Sequence, residues 1–85
     1  MRISITSKFE RSFKKLPREI QLLAVEQEKK FRKNIFSSSL HTHKLSGKLS
    51  GYYSFSIDFG HRILFEMLSS NHVLFVNIGD HSIYR

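Results

Sequence analysis

The sequence contains no cysteine, and its single proline and four glycines are spread over 85 residues without forming a linker. The absence of cysteine excludes disulfide scaffolds, zinc fingers, iron–sulfur sites and thiol nucleophiles. No apolar run approaches the roughly 18 residues of a membrane-spanning helix, and the first residues lack the apolar core of a signal peptide. We therefore expect a cytoplasmic protein with no membrane partner, folded as one domain over residues 1–85.

Acidic residues are also scarce. Seven Asp and Glu stand against 14 Lys and Arg, so the net charge is +7 with neutral histidines. The excess is uneven, because residues 1–50 carry 12 basic and 4 acidic residues whereas residues 51–85 carry 2 and 3. A basic half joined to a nearly neutral half favours a polyanionic partner, with nucleic acid ahead of an anionic membrane.

Hydrophobic periodicity predicts a strand followed by two helices near the N-terminus. Residues 2–6 alternate polar and apolar side chains, as in a half-buried strand. Ser7 and Glu10 have the spacing of a capping box, which predicts that Ser7 caps the first helix. Pro17 suits the first turn of a second helix, whose apolar residues keep helical spacing to about Asn34. The two helices are expected to form a hairpin.

After a loop at residues 35–50 the period of the apolar residues changes to two. Residues 52–59 and 62–68 alternate, and residues 73–78 are almost entirely apolar, which predicts three strands with the third in the centre of a sheet. The order of elements predicts an α+β fold. An N-terminal strand and a two-helix hairpin should pack on a twisted, mostly antiparallel sheet of about four strands.

The sheet face that points away from the helices is expected to carry side chains suited to phosphodiester chemistry. The loop at residues 41–44 and the tail at residues 81–85 should border it. Histidine transfers protons near neutral pH, and arginine presents a permanently charged fork that matches phosphate oxygens. Such residues cleave RNA without a metal when one deprotonates the 2′-hydroxyl, another protonates the leaving 5′-oxygen and a cation stabilises the phosphorane. The face itself is predicted to carry Tyr52, Ser54, Ser56, Asp58, Arg62, Leu64 and Glu66.

Composition and spacing alone leave alternatives open for these side chains. Arg62 suits a surface ion pair with Asp58 as well as it suits a phosphate. His41 and His43 have no acidic or cysteine partner at metal-ligand spacing, so no metal site is expected. The basic residues of the second helix are either a solvated face or an RNA-binding surface. They are Lys29, Lys30, Arg32 and Lys33.

Five segments follow one another in an order that resembles a known family. They are residues 9–17 (FERSFKKLP), 43–47 (HKLSG), 49–54 (LSGYYS), 61–65 (HRILF) and 76–81 (VNIGDH). Together they resemble the RelE/ParE superfamily, the toxins of bacterial type II toxin–antitoxin modules. The resemblance covers nearly the whole chain, and it does not distinguish between the subgroups.

The resemblance implies a RelE-type fold and an mRNA interferase without a cofactor. Such a toxin is a ribosome-dependent, metal-independent endoribonuclease that cleaves mRNA and inhibits translation. The resemblance also implies a cognate antitoxin that masks the site, and operator DNA as a partner only through the toxin–antitoxin complex. The main alternative is a ParE-like inhibitor of DNA gyrase without catalysis, followed by a weakly active or inactive homologue that acts only with its antitoxin.

The resemblance also assigns roles to individual residues. His43 corresponds to a loop histidine that YafQ-like members use for proton transfer, and His81 corresponds to their C-terminal catalytic histidine. Arg62 corresponds to the strand arginine that binds the scissile phosphate in YoeB-like members. Tyr84 corresponds loosely to a C-terminal tyrosine of some RelE-like members. The pair of proton-transfer histidines favours the nuclease over the gyrase inhibitor.

One position departs from the superfamily pattern. Many active members have an arginine where this chain has Ser56, so one charge that stabilises the phosphate is missing. Lys44, Lys48 and His61 are candidates to supply that charge and to bind RNA. Further RNA contacts are expected from Lys29, Lys30 and Lys33 on the second helix and from Arg85.

Overall fold

Two helices pack on one face of a five-stranded sheet in the computed structural model, which describes residues 1–84. The helices are α1 (Ser7–Lys15) and α2 (Arg18–Lys33), and the strands are β1 (Arg2–Ile5), β2 (His43–Lys44), β3 (Tyr52–Ser56), β4 (Arg62–Ser69) and β5 (His72–Gly79). Three short 3-10 turns cover Ser38–Leu40, Gly47–Leu49 and His81–Tyr84. Within residues 1–84, no helix has both the length and the apolar character needed to cross a membrane.

The sheet order is β1-β5-β4-β3-β2. β1 and β5 run parallel, with Ile3 opposite Val73, and every other neighbouring pair is antiparallel. The α+β class and the mostly antiparallel sheet are therefore confirmed. The sheet has five strands rather than about four because His43 and Lys44, which were expected in a loop, pair with β3 as a short edge strand.

The first helix is capped by Thr6, and the prediction that Ser7 caps it is wrong. Thr6 has an extended backbone, and its Oγ1 accepts a hydrogen bond from the backbone N–H of Phe9 at 2.9 Å. The Thr6 hydroxyl also donates to the carbonyl of Val76 at 2.7 Å, which ties the start of α1 to β5. Ser7 cannot serve as the cap because it is already the first helical residue.

The hairpin between the helices turns at Pro17. Pro17 occupies the N-cap of α2, one position before the first turn in which it was predicted, and its carbonyl accepts a hydrogen bond from Gln21 N at 3.1 Å. The missing N–H of proline costs nothing there, because the donors at a helix start have no intrahelical partner. α2 then ends with Asn34 as its C-cap, where the apolar periodicity placed its end.

Phe31 of α2 is fully buried at the centre of the core. Its ring centroid lies 4.6 Å from that of Phe55 in β3, 5.0 Å from Phe65 in β4 and 5.5 Å from Phe75 in β5. Aromatic pairs at these separations stabilise a core beyond the area that they bury. Because these strand residues point toward α2, the residues that alternate with them point to the other face of the sheet.

The alternation of β3 stops earlier than the sequence predicted. Phe55 and Ile57 are buried as expected, but β3 ends at Ser56 and the side chain of Phe59 is 99% exposed. The prediction that strand alternation continues over residues 57–59 is therefore wrong. The chain has already left the sheet and entered the turn to β4, so strand alternation no longer controls the direction of the side chain.

Candidate active site

The guanidinium group of Arg62 is held by two side chains on the sheet face away from the helices. Its Nη1 donates to Ser56 Oγ at 2.8 Å, and its Nε and Nη2 lie 3.3 and 3.1 Å from His81 Nε2. Ser56 stands directly opposite Arg62 in the β3–β4 ladder. Among the described residues, the ion pair with Asp58 that the sequence left open does not form. Arg62 therefore has a fixed orientation in which it can receive an anion.

The contact with Arg62 determines which ring nitrogen of His81 carries the proton. A guanidinium group has donors only, so His81 Nε2 must present its lone pair, and Nδ1 then carries the proton of a neutral ring. If both nitrogens of His81 were protonated, Nε2 would face the Arg62 donors with a donor of its own. This arrangement is therefore specific to neutral His81.

The His81–Tyr84 turn brings two of the predicted catalytic residues over this face. The hydroxyl of Tyr84 donates to Ser54 Oγ at 2.9 Å, and its ring stands nearly perpendicular to that of His81 at a centroid distance of 5.9 Å. Ser54 is fully buried. A Cβ atom on Gly79 would lie 2.8 Å from Ile83 Cγ2, so the close approach of the turn to β5 requires a glycine.

His43 lies at the edge of the same face. In the β2–β3 ladder it stands opposite Ser54, and it is exposed. Its Nδ1 lies 3.0 Å from the carbonyl oxygen of His41. Because a carbonyl only accepts, Nδ1 carries the proton and the Nε2 of neutral His43 presents a free lone pair. Throughout residues 1–84, no three His, Asp or Glu side chains are grouped so that they could hold a metal ion.

The turn between β3 and β4 is built around the carboxylate of Asp58. Its Oδ1 accepts hydrogen bonds from Gly60 N at 2.9 Å and His61 N at 2.8 Å, and it lies 3.0 Å from His61 Nδ1. Burial acts to raise the pKa of Asp58, but the His61 ring and the two N–H groups outweigh it together and lower that pKa below its ordinary value. His61 is therefore a structural partner of Asp58 in this conformation.

The three residues proposed to replace the missing charge do not contact Arg62 in the part of the chain that the structure describes. Lys44 alternates with His43 in β2 and points to the opposite face, where its Nζ lies 6.0 Å from the ring of Tyr53. Lys48 is exposed on the Gly47–Leu49 turn. His61 bonds to Asp58, and it lines a cavity of about 510 Å³ shared with α1.

The basic residues of α2 lie on the other side of the sheet from Arg62, because α2 packs there through Phe31. Lys29 makes an exposed ion pair with Glu26 at 3.5 Å. Lys30 and Lys33 are exposed. The RNA contact expected of Arg85 lies outside the described residues.

A second cavity is lined both by Arg62 and by His41, a residue for which the sequence suggested no role in RNA cleavage. This cavity of about 490 Å³ is lined by His41 and Phe59, among others, and by Arg62 and Ser56. His41 has a left-handed backbone with φ of 52°, which is uncommon for a residue with a side chain. The predicted histidine of this loop, His43, is not among the lining residues. The sequence contained no signal for this difference, because residues two apart in an extended segment point the same way, and the left-handed backbone of His41 breaks that rule.

Several solved structures share this fold. The chain resembles the YoeB/ParE toxin from Agrobacterium tumefaciens at a TM-score of 0.80 and 15% identity, covering 95% of this chain and 99% of that one. YafQ from E. coli strain BL21(DE3) gives 0.78 at 12% identity, with 99% and 98% covered. The toxin of the YoeB–YefM complex from Staphylococcus aureus gives 0.77 at 21% identity, with 95% and 97% covered. No curated protein sequence matches the chain.

The helix pair and the five-stranded sheet are the fold that this chain shares with these toxins. The family follows from the sequence. The family described as the ParE toxin of the type II toxin–antitoxin system parDE matches residues 3–83, and the chain belongs to that family.

Proposed function

We propose that this toxin is a ribosome-dependent, metal-independent endoribonuclease that cleaves mRNA and so inhibits translation. The observation that supports the proposal is the clamp on Arg62, whose three donor nitrogens are held by Ser56 and His81 beside the ring of Tyr84. A non-catalytic inhibitor has no need for a guanidinium group fixed against a histidine. A phosphodiesterase needs both groups close to the same phosphate.

In this proposal the hydrogen bonds support a division of the two proton transfers between His43 and His81. His43 has a free Nε2 lone pair and accepts the proton of the 2′-hydroxyl, whose oxygen then attacks the phosphorus. Arg62 stabilises the charge of the phosphorane. The bond between phosphorus and the 5′-oxygen breaks, and protonated His81 gives that oxygen its proton. The products are a 2′,3′-cyclic phosphate and a 5′-hydroxyl, with His43 left protonated and His81 left neutral.

Substrate binding changes the hydrogen-bond partner of His81 in this proposal. In the free protein His81 Nε2 accepts from the donors of Arg62. A phosphate that takes over those donors releases His81 Nε2 toward the leaving 5′-oxygen. His81 then serves as the proposed acid of the reaction. Tyr84 supports this arrangement by anchoring the turn to Ser54.

Basic residues away from Arg62 form a docking surface in this proposal. Lys29, Lys30 and Lys33 on α2, with Lys44 and Lys48 near β2, bind ribosomal RNA through its phosphates without taking part in bond cleavage. We propose the same role for Arg85. Binding through such a surface weakens as the salt concentration rises, whereas the bond-breaking step depends on the clamp residues.

A cognate antitoxin is the proposed protein partner. The YoeB of Staphylococcus aureus is solved as a complex with YefM. The net charge of +7 on this chain favours an acidic segment in its own antitoxin. Operator DNA is proposed as a partner only through the toxin–antitoxin complex.

Inhibition of DNA gyrase is the second candidate, because the matching family is that of ParE. Primer extension on cellular mRNA after induction separates the two. The nuclease predicts new mRNA ends with the wild type and intact mRNA with His81→Ala and with Arg62→Ala. The gyrase inhibitor predicts intact mRNA in all three strains with inhibited supercoiling, and that result would overturn the proposal. Full toxicity of both variants would overturn the mechanism.

A further inference from the structure

Phe59 is the most exposed large apolar residue of the described chain, with 99% of its surface open to water. A phenylalanine in that position gains nothing from the hydrophobic effect, so the fold does not account for it. The core behind it is complete without it, since Phe55 and Ile57 fill the adjacent positions. Phe59 therefore requires a reason outside the folding of this chain.

The turn that carries Phe59 is rigidly built. Asp58 accepts hydrogen bonds from the two N–H groups that follow Phe59, at 2.9 and 2.8 Å. The strand ends on either side are joined by Ile57 N donating to the carbonyl of His61 at 2.9 Å. Phe59 is thus carried at a fixed position by a closed turn.

Phe59 is one of the residues that line the cavity of about 490 Å³ that also contains Arg62. That volume is within the range of roughly 300–1,000 Å³ typical of ligand sites. Polar groups of His41, Ser39 and Gln27 line it as well. An aromatic face, a guanidinium group and several hydrogen-bonding side chains are the combination that binds a nucleotide.

We infer that Phe59 stacks on a nucleobase of single-stranded RNA next to the phosphate that Arg62 binds. The inference rests on the proposed RNA cleavage and adds a base-binding subsite to it. A base of a nucleic acid is favoured over an apolar side chain of a protein partner, because Arg62 and His41 share the cavity and a nucleotide brings a phosphate that matches the guanidinium group. Every base has a π-face, so this stacking adds affinity with little sequence preference.

The chain has no tryptophan, which permits a direct test of stacking. Phe59→Trp places a single fluorophore in the subsite, and Phe36→Trp is the matched control, since Phe36 is 64% exposed and is not among the residues that line this cavity. Both are titrated with a single-stranded 2′-O-methyl oligonucleotide, which cannot be cleaved, and with the same backbone lacking its bases. If Phe59 stacks on a base, the intact oligonucleotide should quench the emission of Phe59→Trp, and the backbone without bases should not. The emission of Phe36→Trp should change little with either probe.

An emission from Phe59→Trp that is equal for the two oligonucleotides, or unchanged by both, would overturn the subsite. A change caused only by the antitoxin would overturn it in favour of a protein contact. These results do not depend on cleavage, so they separate failure of the subsite from failure of the proposed nuclease.

A second measurement uses mRNA cleavage in a translating extract. Phe59→Ala and Phe59→Leu should lower the rate about tenfold, which is the scale of one lost stacking contact, whereas Phe59→Tyr and Phe59→Trp should retain it. Phe36→Ala serves as the control for an exposed aromatic elsewhere. Equal cleavage rates for Phe59→Leu and the wild type would contradict the stacking inference. Cleavage of mRNA by the wild type in the same extract would still support the proposed nuclease.

Discussion

His81 Nε2 accepts hydrogen bonds from both Nε and Nη2 of Arg62, at 3.3 and 3.1 Å. The two residues are 19 positions apart, and the pair exists because the His81–Tyr84 turn folds back over the end of β5. The residue proposed to bind the phosphate and the residue proposed to donate a proton are thus in direct contact. The following predictions test this pair and the residues that hold it.

Arg62→Ala should lower the rate of mRNA cleavage by about 10²–10³-fold, as expected for loss of a donor that stabilises a transition state. Arg62→Lys should recover only part of the rate, because an ammonium group cannot span Ser56 and His81 as the fork does. Cleavage is measured in a translating extract, with Arg18→Ala as an exposed control. If Arg62→Lys is as fast as the wild type, the fork geometry has no role.

Ser56→Ala should lower the cleavage rate by about tenfold. The substitution removes the acceptor of Arg62 Nη1, and hydrogen bonds to charged groups contribute about 1.5–3 kcal/mol. Ser70→Ala, in the exposed turn between β4 and β5, is the matched control. An unchanged rate for Ser56→Ala would show that His81 alone orients the guanidinium group.

Gly79→Ala should reduce cleavage while the protein remains folded. The added Cβ would meet Ile83 Cγ2 at 2.8 Å, so the turn that carries His81 and Tyr84 must move. Gly60→Ala is the control, since the nearest atom to its Cβ is 4.0 Å away. Adding Ile83→Ala to Gly79→Ala removes the clashing methyl group and should restore activity in part. A double variant no better than the single one would locate the defect elsewhere.

Asp58→Asn should make the free energy of unfolding depend less steeply on pH in the acidic range. The pKa of Asp58 is lowered in the folded protein from an ordinary value of 3.8, so between the two pKa values the unfolded chain binds more protons. This contribution is present above pH 3.8 and is lost as the pH falls through the lowered pKa.

The measurement is urea unfolding at several acidic pH values. The comparison is Asp80→Asn, because the pKa of Asp80 is lowered mainly by hydrogen bonds from the Ser82 side chain and its backbone N–H, with a further contribution from His61. If the free energy of unfolding of Asp58→Asn falls with acidic pH as steeply as that of the wild type, the turn does not stabilise the ionised carboxylate.

The sequence predicted the fold where periodicity and burial agree. The helices and the three long strands follow from apolar spacing, and Phe31, Phe55 and Phe65 are buried as that spacing requires. The predicted N-cap of the first helix was wrong by one residue. Thr6 and Ser7 both carry a hydroxyl that could cap a helix, and the capping-box spacing does not show that the helix already begins at Ser7.

The site was predicted less completely. Arg62 and His81 were identified through a family resemblance, but their direct contact depends on the path of the His81–Tyr84 turn, which has no periodic signal. The direction of Lys44 depends on a two-residue strand that the pattern did not show. The exposure of Phe59 depends on where β3 ends. These are tertiary properties that local spacing does not encode.

Arg62 and His81 are proposed to act together on a phosphodiester. Mapping the ends of mRNA from translating ribosomes incubated with purified toxin tests this proposal. Wild type should leave a 2′,3′-cyclic phosphate and a 5′-hydroxyl, and neither Arg62→Ala nor His81→Ala should generate these ends above background. Intact mRNA with the wild type, together with inhibited gyrase supercoiling, would contradict the account.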